Sequence, residues 1–202
     1  MSIIKIALTG GIACGKSKAS QLLSGLGVDV ISLDELARDV VKPNTFGLKE
    51  LVKYFGNDIL LNADKSLNRG ALRKLLLESK SNQLLIEAVL HPEILVRMQT
   101  AINKLESKLV VVEIPLLAEK NLTHLFNRAI IVECNEEQQL KRLIARDNIN
   151  LKEAKSMIST QTSHSLRLEL CDKLPVDVIE NNLDIADLTQ KTNQLYKKLI
   201  NL

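Results

Sequence analysis

The chain has 202 residues, of which 46% are hydrophobic and 25% charged, as is typical of one globular domain with insertions. The formal net charge is +3 and 2% of the residues are aromatic, so the composition indicates neither a strongly basic surface nor a set of stacking side chains for nucleic acid. No apolar run approaches the roughly 18 residues of a membrane span, and no signal-peptide pattern is present. We therefore expect a soluble, cytoplasmic protein that binds neither nucleic acid nor membrane.

The N-terminal segment predicts a strand, a phosphate-binding loop and a helix. The apolar run Ile3–Leu8 precedes Gly10–Ser17, which matches the pattern G-x-x-x-x-G-K-[ST], and a helix-like stretch follows from Lys18. Glycines let backbone N–H groups turn toward a polyphosphate, and the helix adds the positive end of its dipole. We expect Lys16 to reach the β- and γ-phosphates and the Ser17 hydroxyl to bind Mg²⁺. The sequence therefore predicts a nucleoside triphosphate site.

Short runs rich in Ile and Val, separated by helical segments, predict an α/β fold with a parallel sheet covered on both faces. The runs are Ile3–Leu8, Val28–Ser32, Leu109–Ile114, Ala129–Cys134 and Val176–Ile179. In such sheets ligands bind beyond the carboxyl ends of the strands. The residues that follow each run are therefore the candidates for chemistry.

Asp34 follows the second run and has three interpretations. It could take a proton from an attacking hydroxyl, help to hold Mg²⁺ through water, or cap the N-terminus of a helix over Glu35–Val41. The position of this residue does not decide between a functional and a capping role.

The stretch between the second and third runs, residues 33–108, is too long for a single crossover and predicts a helical insertion that binds substrate. Leucine-rich segments lie at 48–52, 72–77 and 84–89. A further helix is expected to begin at Pro92, because proline is favourable at a first helical position. His91, directly before it, is a weak signal for chemistry by itself.

Glu113 places a charge directly after Val110–Val112, which a core tolerates only if the charge is paired or faces a cleft. It fits either a contact to the water shell of a magnesium ion or a structural role.

A second, strongly charged insertion is expected from residue 136 to residue 168, and it contains Arg142 and Arg146. Their spacing of four puts both on one face of a helix. Cations on a lid could stabilise a transferring phosphoryl group. Taken alone, the pattern favours a solvated helix face, with Asp147 available for a surface pair.

The cysteines, Cys14, Cys134 and Cys171, are widely spaced and odd in number. They show neither metal-ligand spacing nor a disulfide framework. We expect reduced thiols. The position of Cys14 inside the loop leaves two interpretations, a thiol that reacts with oxidants and, as the favoured one, a small side chain at a variable position.

These segments together resemble the dephospho-CoA kinase family over nearly the whole chain. Besides the loop, residues 30–38 are similar to the family's V-I-D-A-D-x-I-A-R segment. Shorter motifs follow in the family's order: Phe55-Gly56, Leu67-Asn68-Arg69 with Leu72, His91-Pro92, Pro115-Leu116-Leu117 with Glu119, Gln139 with Arg142 and Arg146-Asp147, and Val178-Ile179 with Asn181. The positions Ser32, Lys18, Glu113 and Leu183 differ from the usual Asp, Thr, Asp and Gly.

The resemblance implies one P-loop kinase domain with a five-stranded parallel sheet in the order 2-3-1-4-5, flanked by helices. Residues 1–32, 109–135 and 169–202 would form the nucleotide-binding core, 33–108 the helical acceptor (CoA) subdomain and 136–168 the lid. The implied reaction transfers the γ-phosphate of ATP, with Mg²⁺, to the ribose 3′-hydroxyl of dephospho-CoA, the last step of coenzyme A synthesis. A monomer or weak homo-oligomer is expected.

The resemblance also implies roles for single residues. Asp34 would be the general base, Lys16 would act on the phosphates, and Arg146 would act from the lid. ATP would be bound by Gly11, Ile12, Ala13, Cys14, Gly15, Lys16, Ser17, Lys18, Arg142 and Asn181. The acceptor would be bound by Asp34, Arg38, His91, Pro115 and Leu116. Ser17 would bind Mg²⁺, with Glu113 or Asp34 acting through water.

Other functions stay open on the residues alone. A nucleoside or nucleotide monophosphate kinase has the same loop and a different acceptor. A GTPase needs an Asn-Lys-x-Asp signal, and its nearest match, Asn103–Glu106, ends in Glu and precedes a strand. Ser32 and Lys18 prompt a third hypothesis, a regulatory protein that binds nucleotide without transferring phosphate.

Overall fold

The computed structural model describes residues 3–161, 166–167, 169 and 174–201. The chain divides into two compact units, Met1–Ile31 with Glu106–Leu202, and Ser32–Leu105. The first unit carries the sheet and the phosphate loop, and the second is mainly helical. Cys171 and part of the expected lid lie outside the described residues.

The sheet of the first unit has five parallel strands in the order β2-β3-β1-β4-β5. The strands are β1 (Ile4–Gly10), β2 (Asp29–Ser32), β3 (Leu109–Glu113), β4 (Arg128–Glu133) and β5 (Val176–Glu180). The expected strand order is confirmed, and each expected strand is present with small differences at its ends.

The helices within the described residues alternate with these strands or form the second unit. They are α1 (Lys16–Gly25), α2 (Leu33–Asp39), α3 (Phe46–Phe55), α4 (Arg69–Glu78), α5 (Lys80–Ile102), α6 (Glu136–Asp147), α7 (Leu151–Ser159) and α8 (Ile185–Leu199). None of these helices is long and apolar enough to cross a membrane.

The central strand β1 determines where the phosphate loop emerges. It pairs with β3 on one side, with Leu8 opposite Glu113, and with β4 on the other, with Gly10 opposite Val132. Because parallel strands end at the same edge of a sheet, the loop after Gly10 begins beside the ends of both neighbours.

One buried cluster holds β1, α1 and α8 together in the first unit. It includes Ile6 and Leu8 of β1, Leu23 of α1 and Leu195 of α8. These side chains are aliphatic, as expected for a chain with few aromatic residues. Their burial fixes the position of α1 and therefore of the loop that leads into it.

The second unit has its own core, to which α3 contributes Leu48 and Leu51 and α5 contributes Ile86. Helix α5 continues through Pro92, so the prediction that a helix starts at Pro92 is wrong. Proline removes one backbone hydrogen bond. The helix nevertheless continues because it buries Ile86 before the proline and Met98 after it, and such packing outweighs local propensity.

Candidate active site

The backbone of the phosphate loop is shaped to receive an anion. Ala13 and Gly15 have φ angles of 58° and 97°, in the left-handed region, which turns successive N–H groups toward one side. Gly15 precedes α1, and no described side chain caps this helix. A Cβ on Gly15 would lie 2.4 Å from Nδ2 of Asn181, so close approach also requires glycine here. The N–H groups of Ile12 and Cys14 donate within the protein, whereas those of Lys16 and Ser17 have no acceptor among the described residues, so the loop presents them together with the positive end of a helix.

Glu113 is the last residue of β3, and its side chain contacts the phosphate loop. Its Oε1 accepts hydrogen bonds from Nζ of Lys16 and, at 2.8 Å, from Oγ of Ser17. Burial raises the pKa of the Glu113 carboxyl, but hydrogen bonds from Lys16, Ser17 and Ser20 and the charge of Lys16 outweigh it, so the pKa lies below its usual range. The structure thus brings together Lys16, Ser17 and an ionised Glu113.

The oxygen atoms of this cluster fit a magnesium ion. The Ser17 hydroxyl and the Glu113 carboxylate are hard donors of the kind that Mg²⁺ prefers. Within the described residues, no group of three or more His, Cys, Asp or Glu side chains could hold a metal ion. The donor set therefore suits an ion that takes most of its ligands from phosphate and water.

Amide side chains from three other segments hold the loop backbone. The N–H of Ile12 donates to Oε1 of Gln161 at 2.6 Å, and its carbonyl accepts from Nε2 of Gln139 at 3.0 Å. Nδ2 of Asn181 donates to the carbonyl of Cys14 at 2.8 Å. Asn181 was expected at the ATP site, and the structure puts its amide on the loop. The roles of Gln139 and Gln161 were missed.

One of the two glutamines had a signal in the sequence. Gln139 is buried and lies four residues before the buried Leu143 of α6, so helical spacing puts it on the inner face. Gln161 follows α7 in a polar stretch and carries no comparable signal.

A buried ion pair and a cavity lie beside the loop. Nε and Nη2 of Arg167 donate to the two carboxylate oxygens of Glu133, at 2.5 and 3.2 Å. A Cβ on Gly11 would lie 3.3 Å from Nη2 of Arg167, so the guanidinium approaches the loop closely. The cavity has a volume of about 550 Å³ and is lined by residues that include Glu133, Gln139 and Arg167. Glu133 ends an apolar strand with a charge, as Glu113 does, and that signal could have identified it.

Arg142 and Arg146 share helix α6 but have different partners. Nη1 and Nη2 of Arg142 donate to the carbonyls of Asn181 and Leu183, each at 2.9 Å. Arg146 is exposed and forms a bidentate pair with the adjacent Asp147, at 2.7 and 2.9 Å. Arg142 therefore supports the segment after β5, whereas Arg146 extends from the surface of the helix.

Cys14 and Cys134 are joined by a disulfide, so the expectation of reduced thiols is wrong for this pair. The residues are 120 positions apart in sequence. They meet because Gly10 pairs with Val132, which puts the loop beside the end of β4. This proximity follows from the strand order and is not visible in the spacing of the cysteines.

Asp34 lies in the first turn of α2, in the helical unit, and is exposed. The N-cap of this helix is Ser32, whose hydroxyl accepts from the N–H of Glu35 at 3.4 Å. The interpretation of Asp34 as an N-cap is therefore wrong. Its carboxylate is not used to begin the helix.

The expected acceptor-binding residues occupy both units. Arg38 is exposed in the last turn of α2, and His91 is half-buried within α5. Pro115 and Leu116 follow β3, and Leu116 is exposed. In the helical unit, a cavity of about 470 Å³ is lined by Arg38, Lys42 and Arg69 together with Glu35 and Asp39.

Comparison with known proteins identifies one family. The family model for dephospho-CoA kinase matches residues 4–187. The chain is 36% identical to the dephospho-CoA kinase of Colwellia psychrerythraea over 100% of its own length and 98% of the relative. It is 40% identical to that of Aggregatibacter actinomycetemcomitans over 98% and 91% of the two chains.

Solved structures agree with this match. Dephospho-CoA kinase from Campylobacter jejuni is 28% identical, with a TM-score of 0.71 and 96% of each chain covered. A protein from Thermus thermophilus gives a TM-score of 0.82 at 28% identity, with 98% and 99% of the chains covered. Shikimate kinase from Bacteroides thetaiotaomicron, at 12% identity and a TM-score of 0.55, shares the fold.

The ionised Glu113 predicts a specific loss of stability in acid. Because its pKa is lower in the folded chain than its ordinary value of 4.5, its contribution is present above pH 4.5 and is lost as the pH falls through the folded value. We expect Glu113→Gln to lower the urea midpoint of unfolding at pH 7, and to lower it progressively less, relative to wild type, below about pH 4.5.

The matched control is Glu78→Gln, which changes an exposed glutamate at the end of α4. Its urea midpoint should follow that of the wild type at every pH. A difference between Glu113→Gln and wild type that stays constant from pH 7 into acid would contradict an ionised, hydrogen-bonded Glu113.

Proposed function

Since the chain belongs to the dephospho-CoA kinase family, we propose that it transfers the γ-phosphate of ATP to the ribose 3′-hydroxyl of dephospho-CoA, giving CoA and ADP. The observation that carries this proposal is the match over residues 4–187, with relatives covered almost completely. The loop supports it, because its N–H groups, Lys16 and Ser17 provide the groups that a phosphoryl-transfer site needs.

The sheet unit supplies the groups for the triphosphate. The backbone from Gly11 to Ser17 would surround the β-phosphate, and the ammonium of Lys16 would stabilise charge on the β- and γ-phosphates. Ser17 would hold Mg²⁺, with Glu113 acting through water, and the ion would supply positive charge that offsets the charge of the phosphates. We assign the base of the nucleotide to the cavity beside the loop, whose lining includes the apolar Ile158 and the amide of Asn182.

The helical unit supplies the proposed base and the acceptor site. The carboxylate of Asp34 is exposed and takes no part in capping α2, so it is suited to remove the proton from the 3′-hydroxyl. The cavity of this unit has three cations, of which Lys42 pairs with Asp39. Among the described residues of the unit, neither Arg38 nor Arg69 forms an ion pair. With Glu35 and Asp39 counted, the lining keeps an excess of one positive charge, which fits the diphosphate of dephospho-CoA.

A direct assay of acceptor dependence tests the function. ADP release from ATP and Mg²⁺ should be strongly stimulated by dephospho-CoA and only weakly by adenosine, AMP or shikimate, and mass spectrometry should identify the 3′-phosphorylated product. Replacing ATP by GTP at equal concentration tests the GTPase alternative. Stimulation by AMP alone would support a nucleotide monophosphate kinase. ADP binding without stimulation by any acceptor would support the regulatory alternative.

Asp34→Asn tests the proposed base. The amide keeps the size of the side chain but cannot accept the proton, so turnover should fall by roughly 10²-fold or more. The dissociation constant for ADP should stay close to that of the wild type, because the nucleotide site lies in the other unit. Steady-state rates and ADP titrations measure the two quantities.

Glu78→Gln serves as the control in this unit, since it removes one exposed carboxylate from the end of α4. It should retain the turnover of the wild type. A turnover of Asp34→Asn equal to that of the control would remove Asp34 from the mechanism.

The two arginines of α6 should respond differently to replacement by alanine. Arg146 pairs only with Asp147 among the described residues, so Arg146→Ala should leave the melting temperature nearly unchanged while turnover falls by about 10²-fold, the scale for loss of one charge-stabilising donor. Arg142→Ala removes two hydrogen bonds to backbone carbonyls and should lower the melting temperature and weaken ADP binding.

Thermal unfolding, ADP titration and turnover of both variants make this comparison. Equal turnover of Arg146→Ala and wild type would contradict a lid role for Arg146. An unchanged melting temperature for Arg142→Ala would contradict its structural role.

A further inference from the structure

The disulfide between Cys14 and Cys134 connects the phosphate loop to the strand beside it. Cys14 directly precedes Gly15-Lys16-Ser17, and Cys134 is the first residue after β4. Their Cα atoms are 5.1 Å apart, within the range that a disulfide spans without backbone movement. We propose that this pair is a reversible thiol–disulfide site that controls nucleotide binding: the disulfide weakens binding, and reduction restores it.

The position of Cys14 in the loop gives the disulfide its effect on the nucleotide. Cys14 lies between the two left-handed residues, Ala13 and Gly15, and its side chain is fully buried. In the cross-linked chain its N–H donates to the carbonyl of Gly11 at 3.1 Å, inside the loop. A phosphate needs the N–H groups of this segment turned toward it. In the cross-linked chain the N–H of Cys14 is therefore engaged inside the loop, where a phosphate cannot accept from it, and the covalent bond at Cys14 restricts the movement that would release it.

Cys134 is the cysteine of the pair that a reagent in the solvent can reach. It is half-buried and contributes to the wall of the cavity of about 550 Å³ beside the loop. Cys14 does not line this cavity, and its side chain is buried in the hydrophobic core. A small disulfide reagent therefore meets Cys134 first, and Cys14 then completes the reaction from within.

The chemistry is two successive thiol–disulfide exchanges with a low-molecular-weight disulfide, RSSR. The thiolate of Cys134 attacks one sulfur of RSSR, forms the mixed disulfide and releases one RS⁻. The thiolate of Cys14 then attacks the sulfur of Cys134 and releases the second RS⁻. The two protein thiols lose two electrons, RSSR gains them, and the two protons end on two RSH molecules. An excess of a dithiol reverses both steps.

Because the two equilibria share one loop, their coupling must be reciprocal. If the disulfide weakens ADP binding by some factor, bound ADP opposes formation of the disulfide by the same factor. The inference rests on the nucleotide site of the proposed function and does not depend on the identity of the acceptor. It can therefore be tested by binding alone.

The test uses the full chain with Cys171→Ser, which leaves Cys14 and Cys134 as the remaining thiols. The protein is reduced with dithiothreitol or oxidised with glutathione disulfide, and ADP binding with Mg²⁺ is measured by calorimetry in each state. The oxidised form should bind ADP at least about fivefold more weakly, and dithiothreitol should restore the affinity. Peptide mass mapping should find Cys14 linked to Cys134, and saturating ADP should shift the glutathione midpoint by the same factor.

Cys134→Ser in the same background is the matched control. Its ADP affinities before and after glutathione disulfide should be equal to each other, because Cys14 then has no partner. Equal affinities for the cross-linked and reduced forms would overturn the inference, as would a failure to form the cross-link or a full response in Cys134→Ser. Kinase activity with equal affinities in the two forms would contradict this inference alone. Redox-dependent ADP binding without acceptor phosphorylation would contradict the proposed reaction alone.

Discussion

The parallel pairing of β1 with both of its neighbours is the constraint on which the site depends. Leu8 lies opposite Glu113 and Gly10 opposite Val132, so the loop leaves the sheet between the ends of β3 and β4. The side chains that contact the loop include Glu113 at the end of β3 and Gln139 of α6, the helix that follows β4. A change of register by one residue would turn the side chains at the strand ends to the opposite face of the sheet. The hydrophobic cluster of β1, α1 and α8 therefore maintains the geometry of the site as well as the fold.

The loop is further held by side chains that are distant in sequence. Gln139 and Gln161 bind the two backbone groups of Ile12, Asn181 binds the carbonyl of Cys14, and Arg142 binds the carbonyls that follow β5. The bonds to Ile12 and Cys14 satisfy backbone groups of the tight turn, and those of Arg142 satisfy carbonyls of the segment that carries Asn181. They leave the N–H groups at the start of α1 available for phosphate. The same contacts connect the loop to α6 and to Gln161 after α7, so a change in either segment alters the loop directly.

Local chemistry made part of this arrangement predictable. Continuous Ile and Val runs marked all five strands, and the fixed spacing from Gly10 to Ser17 marked the loop. The prediction for Pro92 failed because burial of Ile86 and Met98 on one long helix outweighs the local preference of proline. The N-cap interpretation of Asp34 failed because Ser32, two residues earlier, supplies the cap.

Gln161 and the pairing of Cys14 with Cys134 depend on tertiary proximity, which no local pattern contains. The roles of Asp34, Arg146 and the acceptor residues rest on family resemblance and stay predictions.

Both neighbours of β1 end in a buried glutamate that is paired with a cation beside the loop. Glu113 pairs with Lys16, and Glu133 with Arg167. Loss of one partner of a buried ion pair costs about 3–5 kcal/mol, so each glutamate needs its cation when the loop is folded. A polyphosphate brings further negative charge to the same cations and must share them with the glutamates. A metal ion beside Glu113 and Ser17 would resolve this competition, because it offers the carboxylate a second positive partner while Lys16 turns to the phosphates. The pairing of charges that stabilises the loop is thus consistent with the proposed use of Mg²⁺ together with the nucleotide.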